Sequence, residues 1–241
     1  MDGTPNLPET IQLIGDPTRI ELLTVLIDNR YYTVTELSKR THVSLSTTSY
    51  HLKKLSNMGW IDTYKQGKNV YYGLINDSIA NIIELLMTIS APKKINFYNQ
   101  KKEYLEIKEA RTYYSHLAGE FGVGLFDFML EKHYLEKKNH EVAMTEAGTE
   151  FFRRIGIIAP ESLNGKLCMD WSERRFHLAG PLGSEICSTF LQQGWIVKST
   201  KNRSIILSAV SPEWLKTIYE NSKRMRINNN GSHSHTRTMV N

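Results

Sequence analysis

Two helix-start signals follow each other closely in the first third of the chain and constrain its fold more than any other feature. Thr33, with Glu36 three residues later, has the spacing of a capping box and predicts a short helix that ends near Thr41. Ser44 is a suitable N-cap for a second, longer helix. In that helix the spacing predicts a buried stripe formed by Thr48, Leu52 and Leu55. The two helices and their short connection form a predicted helix-turn-helix.

Elements on both sides extend this pair. Asp16-Pro17 is an N-cap followed by a proline at the first helical position, so a further helix precedes the pair. After the second helix, residues 60–65 and the alternating stretch 70–74 flank the turn Gln66-Gly67-Lys68-Asn69, which predicts a β-hairpin. The order helix, short helix, turn, helix, hairpin is that of a winged helix-turn-helix domain, whose helix after the turn enters the DNA major groove.

Positive charge is concentrated on this pair and its hairpin. Residues 39–68 carry a net charge of +5, whereas residues 1–38 sum to −4 and residues 69–90 to −2. The basic side chains of the block are Lys39, Arg40, Lys53, Lys54, Lys65 and Lys68, with Asp62 as its one acid. Taken alone, such a run is usually a solvated helix face. Because it coincides with capped helices, small hydroxyl side chains and a basic hairpin, the sequence predicts binding to double-stranded DNA.

Five segments carry a resemblance to a known family. They are Ile14 to Leu23, Glu36 to Ser38, Ser44 to Leu55, Met58 to Ile61 and Gly67 to Tyr72. Over about residues 10–90 the chain resembles the ArsR/SmtB family of bacterial transcriptional repressors. The resemblance implies that the helix capped by Ser44 reads operator DNA. It places these side chains near bases or phosphates: Ser44, Ser46, Thr47, Ser49, Tyr50 and His51.

Two positions of that helix need separate interpretation. Leu45 departs from the family pattern, in which a glutamine is frequent, and would contact a thymine methyl group instead of offering an amide. His51 neighbours the buried stripe, so it is either a packing histidine or a contact to phosphate or base. The lysines of the helix and the hairpin are expected at phosphates: Lys53, Lys54, Lys65 and Lys68.

Many members of the family sense metal ions, and the resemblance raises that function here. A thiolate site would need cysteines shortly after Glu36-Leu37, where the chain has Ser38 to Thr41. A site on the helix after the hairpin would need histidines, but residues 78–90 contain none and have Glu84 as their single acid. The sequence therefore predicts no metal site and no cofactor.

The helix after the hairpin is apolar around most of its circumference. We expect its surplus apolar surface to form a homodimer contact around Ile79, Ile82, Ile83 and Leu86. A two-fold dimer would bind an inverted-repeat operator with half-sites about 34–36 Å apart. The alternative is burial of this surface against the rest of the chain.

The last 150 residues contain an internal repeat. His116 to Gly122 recurs as His177 to Gly183, and each copy continues as a helix, a hairpin and another helix, which predicts a duplication. Around these copies, Arg111 and Tyr114, and then Cys168, Asp170, Trp171, Glu173, Arg174 and Arg175, resemble an extension found in a subset of ArsR-like regulators. Where that pattern commonly has a cysteine before Tyr114, this chain has Tyr113.

Polar residues of the repeat suggest a second site. An effector pocket between the copies is predicted from Arg111, His116, Asp170, Trp171, Arg174, Arg175 and His177. The favoured alternative is structural: the histidines bond to backbone and the arginines pair with Asp170 and Glu173. Cys168 and Cys187 lack C-x-x-C spacing, so two buried thiols are a better interpretation than a redox switch.

These observations define the predicted organisation. The fold class is mainly α (α+β): a winged helix-turn-helix domain at 8–91, a linker at 92–102, a duplicated and mostly helical regulatory or dimerisation domain at 103–222, and a basic disordered tail at 223–241. No catalytic motif, secretory signal or apolar run of membrane-spanning length is present, so the prediction is a cytoplasmic, non-enzymatic, dimeric repressor. The rival is an interaction or small-molecule-binding module whose winged domain has lost DNA recognition.

Overall fold

The computed structural model describes residues 4–91, 98–138 and 141–231. The chain divides into two compact units, Met1–Ala91 and Pro92–Asn241. The predicted fold class, mainly α with small sheets, is confirmed.

The first unit contains five helices and three strands among its described residues. They are α1 (Leu7–Ile14), α2 (Pro17–Leu26), β1 (Tyr32–Thr33), α3 (Val34–Thr41), α4 (Leu45–Asn57), β2 (Ile61–Gln66), β3 (Asn69–Leu74) and α5 (Asp77–Ile89). The predicted helix starts are confirmed by their caps: Asp16 accepts from the Arg19 amide, Thr33 and Glu36 form a capping box, and Ser44 accepts from the Thr47 amide. The antiparallel sheet has the order β1-β3-β2.

One helix of this unit, α1, was not predicted. Its signals are Asn6, whose side chain accepts from the Glu9 amide, and the proline in its first turn. Buried Arg19 fixes α1 to α2, because its guanidinium donates to the carbonyls of Gln12 (2.7 Å) and Leu13 at the carboxyl end of α1. The core beneath is formed by completely buried leucines and an isoleucine: Leu22, Leu23, Leu26, Ile27, Leu37, Leu52 and Leu55.

The second unit repeats the order hairpin, helix, hairpin, helix after a leading helix, α6 (Tyr98–Glu109). The first set is β4 (Arg111–Tyr113), β5 (His116–Ala118), α7 (Gly119–Glu131), β6 (Leu135–Lys138), β7 (Glu141–Met144) and α8 (Glu146–Arg154). The second set is β8 (Gly165–Met169), β9 (Phe176–Ala179), α9 (Gly180–Gln192), β10 (Ile196–Lys198), β11 (Ile205–Leu207) and α10 (Glu213–Gly231), preceded by a short 3₁₀ helix at Pro160–Ser162.

Each set pairs part of its backbone with the other set. β7 of the first set pairs with β8 of the second, which gives a four-stranded sheet in the order β6-β7-β8-β9. In return, an antiparallel bridge between Arg111 and Ser204 joins β4 to the β10–β11 hairpin. Apolar side chains from both sets fill one shared core, with Phe121 and Phe152 from the first and Phe190 from the second completely buried. The two sets therefore form one compact unit.

Backbone geometry explains the repeated H-L-A-G-x-x-G motif. The first glycine of each copy, Gly119 and Gly180, has a φ of +82° and +75°, where side chains with a Cβ are strained. At the second glycine the helix passes close to the preceding strand. A Cβ on Gly122 or Gly183 would lie 2.6 Å from the carbonyl oxygen of the motif leucine, Leu117 or Leu178. The motif therefore records a strand-to-helix junction.

Two predicted boundaries are wrong. The linker was expected to extend through residue 102, but α6 begins at Tyr98; residues 92–97 lie outside the described residues. The disordered tail was expected from residue 223, but α10 continues to Gly231, and only residues 232–241 lie outside the described part. Both segments are polar but adjoin helical residues, and adding residues to an existing helix is much easier than starting one.

Candidate nucleic-acid interface

Helix α4 presents a continuous polar face to solvent. Its stripe of Thr48, Leu52 and Leu55 is buried as predicted, which fixes the rotation of the helix. The opposite face is exposed and carries Ser44, Leu45, Ser46, Thr47, Ser49, Tyr50, Lys53 and Lys54. Ten of the eleven predicted DNA-contacting residues, on this helix and on the hairpin, are therefore accessible.

The amino-terminal end of α4 is ordered by its own hydroxyls. Ser44 Oγ accepts from the Thr47 amide, lies 2.8 Å from Thr47 Oγ1 and lies 3.1 Å from Ser46 Oγ. The side chains here are short, so the helix end can approach base edges closely. The helix dipole also favours a phosphate at this end.

Lysine side chains, which are longer than the hydroxyl side chains, lie on both sides of the amino-terminal end of α4. Lys53 and Lys54 lie on the exposed face one to two turns further along α4, and the Lys54 ammonium sits 4.8 Å from the ring centre of Tyr50. The wing, formed by β2 and β3, has Lys65 paired with Val70, and both Lys65 and Lys68 are exposed. Hydroxyls at the helix end and lysines around it match the division between base contacts and phosphate contacts.

His51 is the exception among the predicted contacts, because it is 7% exposed and points into the unit. Its Nδ1 lies 3.4 Å from Arg19 Nη1 and 3.7 Å from Asp16 Oδ1. Burial lowers the pKa of His51, although the Asp16 carboxylate opposes the shift. The structure supports the packing interpretation, since this imidazole joins α4 to the start of α2.

Helix α5 divides its apolar residues between the core and the surface. Ile79 and Ile83 were predicted to face a partner subunit, but they are buried within the unit, which corrects that assignment. Ile82, Leu85 and Ile89 are exposed, with Leu85 at 66% and Ile89 at 77%, while Leu86 is half-buried. The helix is amphipathic with a wide apolar surface, so one part packs inward and another remains accessible.

The seven predicted effector residues do not line one pocket. Arg111, His116, Asp170 and His177 are buried with at most 5% exposure, Trp171 is half-buried, and Arg174 and Arg175 are exposed. Arg111 donates to Asp170 Oδ2 (2.8 Å), to the Ile107 carbonyl and to Ser172 Oγ. The prediction of a shared pocket is corrected because Arg111 and Asp170 pair with each other inside the core, as the structural alternative anticipated for Arg111; the buried Nε of Arg111 makes no hydrogen bond.

Asp170 is the centre of that buried network. Besides Arg111 it accepts from the backbone amides of Gly119 (2.7 Å), Ser172 and Glu173, and from Ser172 Oγ. Burial opposes its ionisation, but the adjacent Arg111 guanidinium and these hydrogen bonds hold the pKa of Asp170 well below its usual range. The carboxylate thereby ties the second copy of the repeat to the first.

The motif histidines pair with each other instead of with backbone. His116 Nε2 lies 3.1 Å from His177 Nε2, and the two rings are 5.1 Å apart. Burial lowers the pKa of His177 to about 4, partly offset by Asp170, and that of His116 well below its usual value. Cys168, beside His177 across β8 and β9, is half-buried; Cys187 in α9 is buried, which raises the pKa of its thiol to about 11.

A cavity of about 860 Å³ lies elsewhere in the second unit. Its wall includes aromatic residues Phe128, Phe151 and Trp214, with the rings of Phe128 and Trp214 stacked 5.6 Å apart. Of the seven predicted effector residues only Arg175 borders it. The cavity was missed because its lining comes from helices and loops distant in sequence, without a local motif.

The comparisons with known proteins agree with the winged helix-turn-helix fold of the first unit. A family model described as "Bacterial regulatory protein, arsR family" matches residues 16–63. The chain is 34% identical over 206 residues to the uncharacterized HTH-type transcriptional regulator YdfF of Bacillus subtilis (strain 168), which covers 83% of this chain and 91% of YdfF. It is 32% identical over 82 residues to the cadmium resistance transcriptional regulatory protein CadC of Listeria innocua, covering 34% of this chain and 69% of CadC.

A solved structure of reduced HlyU from Vibrio cholerae is 28% identical, with a TM-score of 0.33, covering 36% of this chain and 90% of HlyU. The fold and the exposed helix of the first unit define a winged helix-turn-helix transcriptional regulator. Since YdfF is matched over nearly its whole length, the chain belongs to the ArsR family of bacterial regulatory proteins. Among the described helices, none is long and apolar enough to cross a membrane.

Proposed function

We propose that this regulator is a sequence-specific, dimeric repressor in which α4 reads base edges in the major groove and the wing contacts the adjacent backbone. The observation that carries the proposal is the exposed face of α4. Hydroxyls ordered by Ser44 stand at its amino-terminal end, and Lys53 and Lys54 follow behind. Serine and threonine bond to base edges or phosphates, whereas the lysines supply affinity without sequence preference.

Leu45 and Tyr50 give the proposed reading face two larger side chains. Leu45 is 53% exposed and Tyr50 is 55% exposed. An apolar side chain at position 45 favours a base pair with a thymine methyl group in the groove. Tyr50 is held beside Lys54 and offers a hydroxyl at phosphate reach.

The exposed part of α5 supports dimerisation. Ile82, Leu85 and Ile89 lie on one helix together with half-buried Leu86, and Leu7 and Ile11 of α1 are also exposed. Pairing of such apolar surfaces around a two-fold axis would bury them and place two copies of α4 about 34–36 Å apart, one turn of the DNA helix. The expected operator is then an inverted repeat.

A small-molecule effector is a second candidate function, now assigned to the cavity bordered by Phe128, Phe151 and Trp214. Its volume of about 860 Å³ is in the range of ligand sites, and its aromatic wall adjoins charged groups of both signs: Lys108 pairs with Glu120 and Glu173, and Arg175 pairs with Asp127. Quenching of Trp214 fluorescence by an aromatic carboxylate probe, absent in Trp214→Phe, would support this assignment. Quenching that is equal in both proteins would contradict it.

Fluorescence anisotropy with DNA from upstream of the protein's own coding region tests the repressor proposal. We expect tighter binding to this DNA than to a scrambled duplex at the same salt concentration. Replacing Thr47 by Val should reduce that discrimination by about 1–3 kcal/mol, because a hydroxyl that bonds a base is lost. Thr149→Val is the matched control, since Thr149 lies on α8 in the second unit. Equal affinity for both duplexes in the unmodified protein would refute sequence-specific binding.

A further inference from the structure

Three potential metal ligands meet where the two copies of the repeat come together. One ligand atom each from His116, Cys168 and His177 lies within 4.8 Å of the other two. The three residues come from β5, β8 and β9, so strands fix their backbones. No residue of this group lies in the first unit, and none is needed for the proposed contacts to DNA.

The spacing of the two imidazoles suits a single ion. His116 Nε2 and His177 Nε2 are 3.1 Å apart. Two nitrogens bound tetrahedrally to one zinc ion at about 2.0–2.1 Å would be about 3.3 Å apart. Without an ion one ring donates its Nε2 proton to the other; when a cation binds, that ring carries its proton on Nδ1 instead, so both Nε2 atoms are available to the cation. Cys168 Sγ is the third ligand. Its side chain is half-buried, so it has room to move closer to an ion held by the two imidazoles.

The surroundings of His177 resemble those of a metal-bound imidazole. Its Nδ1 makes no hydrogen bond and lies 3.5 Å from Asp170 Oδ2. A carboxylate on the far nitrogen orients an imidazole and directs its other nitrogen to the metal. Asp170 is itself fixed by Arg111 and by the Gly119 amide.

We propose that His116, Cys168 and His177 bind one late transition-metal ion of the zinc(II) type, with Asp170 positioning His177. A thiolate and two imidazoles are ligands that zinc prefers, and three protein ligands leave a fourth tetrahedral position open. Binding releases the thiol proton of Cys168.

Comparison of the two copies identifies what stands at the fourth position. Cys168 pairs with His177 across β8 and β9, and Tyr113 pairs with His116 across β4 and β5 in the same register. Tyr113 therefore occupies the place that Cys168 has in the other copy, and its ring centre lies 4.8 Å from that of His116. Tyr113→Cys would create a Cys₂His₂ set.

Titration of the reduced full-length chain with Co²⁺, followed by competition with Zn²⁺, tests the proposal. We expect one ion per chain and a near-ultraviolet thiolate-to-cobalt charge-transfer band. Cys168→Ser should lose this band and at least about tenfold in affinity. Cys187→Ser, which removes the buried thiol of α9, is the matched control and should bind like the unmodified protein. A band that is absent, or equal in both variants, would overturn the proposal.

Two further variants keep the test decisive. Tyr113→Cys should raise the affinity by about tenfold or more and strengthen the charge-transfer band, because a second thiolate enters the set. A folded Tyr113→Cys protein without this gain would contradict the assignment. The double variant His233→Ala with His235→Ala removes two histidines outside the described residues, and we expect it to keep the charge-transfer band; loss of the band in this variant would contradict the assignment. Metal binding is measured on the protein alone, so its outcome is separate from that of the DNA experiment.

Discussion

Helix α4 and the network around Asp170 use the same kinds of polar residue in opposite ways. On the exposed face of α4 the hydroxyls and lysines point to solvent, and the side chains of Ser44, Ser46 and Thr47 lie within hydrogen-bond distance of one another. Around Asp170 the charged groups are buried, and the carboxylate accepts hydrogen bonds from Arg111 and from the Gly119 amide. Burial therefore decides whether a polar motif is available to a partner or holds the fold together.

Two histidines show the same distinction within each unit. His51 directly follows the exposed Tyr50 on α4, yet it faces inward and contacts Arg19. His116 belongs to a repeated motif that suggested an effector pocket, yet it faces His177 in the core. Neither orientation follows from residue type, because a one-position rotation of a helix or strand changes which side chains are buried.

The largest expected effect comes from breaking the Asp170 network. Asp170→Ala leaves the completely buried Arg111 guanidinium without its counter-charge, so we expect a loss of about 3–5 kcal/mol in the unfolding free energy. Chemical denaturation followed by tryptophan fluorescence measures it, since three of the four tryptophans, Trp171, Trp195 and Trp214, lie in the second unit and Trp60 lies in the first.

Asp127→Ala is the control for that substitution. Asp127 pairs with Arg175, but the two side chains are 30% and 53% exposed, and exposed pairs contribute about 0–1 kcal/mol. Similar losses in both variants would show that burial does not distinguish the two ion pairs.

A smaller effect is expected at the buried pair of Tyr32 and Asp28 in the first unit. Burial and the hydrogen bond to Asp28 raise the pKa of Tyr32 to about 12. Tyr32→Phe removes the donor from a carboxylate that is 3% exposed and should cost about 1.5–3 kcal/mol at pH 8.

The pH dependence follows from the direction of that shift. The folded-state pKa of Tyr32 lies above the unfolded value of about 10, so its contribution is complete below pH 10 and is lost as the pH rises toward 12. The difference in unfolding free energy between the unmodified protein and Tyr32→Phe should therefore shrink over this interval. A difference that stays constant with pH would argue against the hydrogen bond.

The adjacent residues His51 and Tyr50 give a sharper test of exposure on α4. His51→Ala should lower the unfolding free energy by about 1–2 kcal/mol because it removes a buried ring between α4 and α2. Tyr50→Ala should change stability by less than about 0.5 kcal/mol and instead weaken DNA binding. Thermal unfolding and anisotropy on both variants separate the effects; the reverse pattern would restore His51 as a DNA contact.

Local signals explain why the first unit was predicted in detail. The caps at Asp16, Thr33 and Ser44 and the alternation around Gly67 depend on residues close in sequence, so their positions can be read directly. The division of α5 into buried Ile83 and exposed Leu85 could not be read, because both faces of the helix are apolar.

Long-range contacts explain why the sites of the second unit were predicted only in part: the pairing of Arg111 with Asp170 was the structural alternative, but the contact between the two histidines was not predicted. Arg111 and Asp170 are 59 residues apart, and His116 and His177 are 61 apart, so no local spacing reveals either pair. The predicted order of helix, hairpin and helix in each copy missed the strands of the motif itself, β5 and β9, which lead directly into α7 and α9. The repeat motif did not indicate that Cys168 joins the histidines, because that contact depends on how β8 and β9 pair.

The smallest expected effect concerns single lysines of the proposed interface. Lys68→Ala should leave stability unchanged, weaken binding to all DNA sequences alike, and reduce the slope of log affinity against log salt by about 0.9 for each phosphate contact removed. Lys138→Ala is the control, since this lysine is equally accessible, at 71% side-chain exposure, but lies on β6 of the second unit. Anisotropy titrations at several salt concentrations give both slopes. If Lys68 and Lys138 change the slope equally, the wing contributes general charge; if only Lys68 does, the exposed lysines of the first unit contact DNA, in contrast with those of the second.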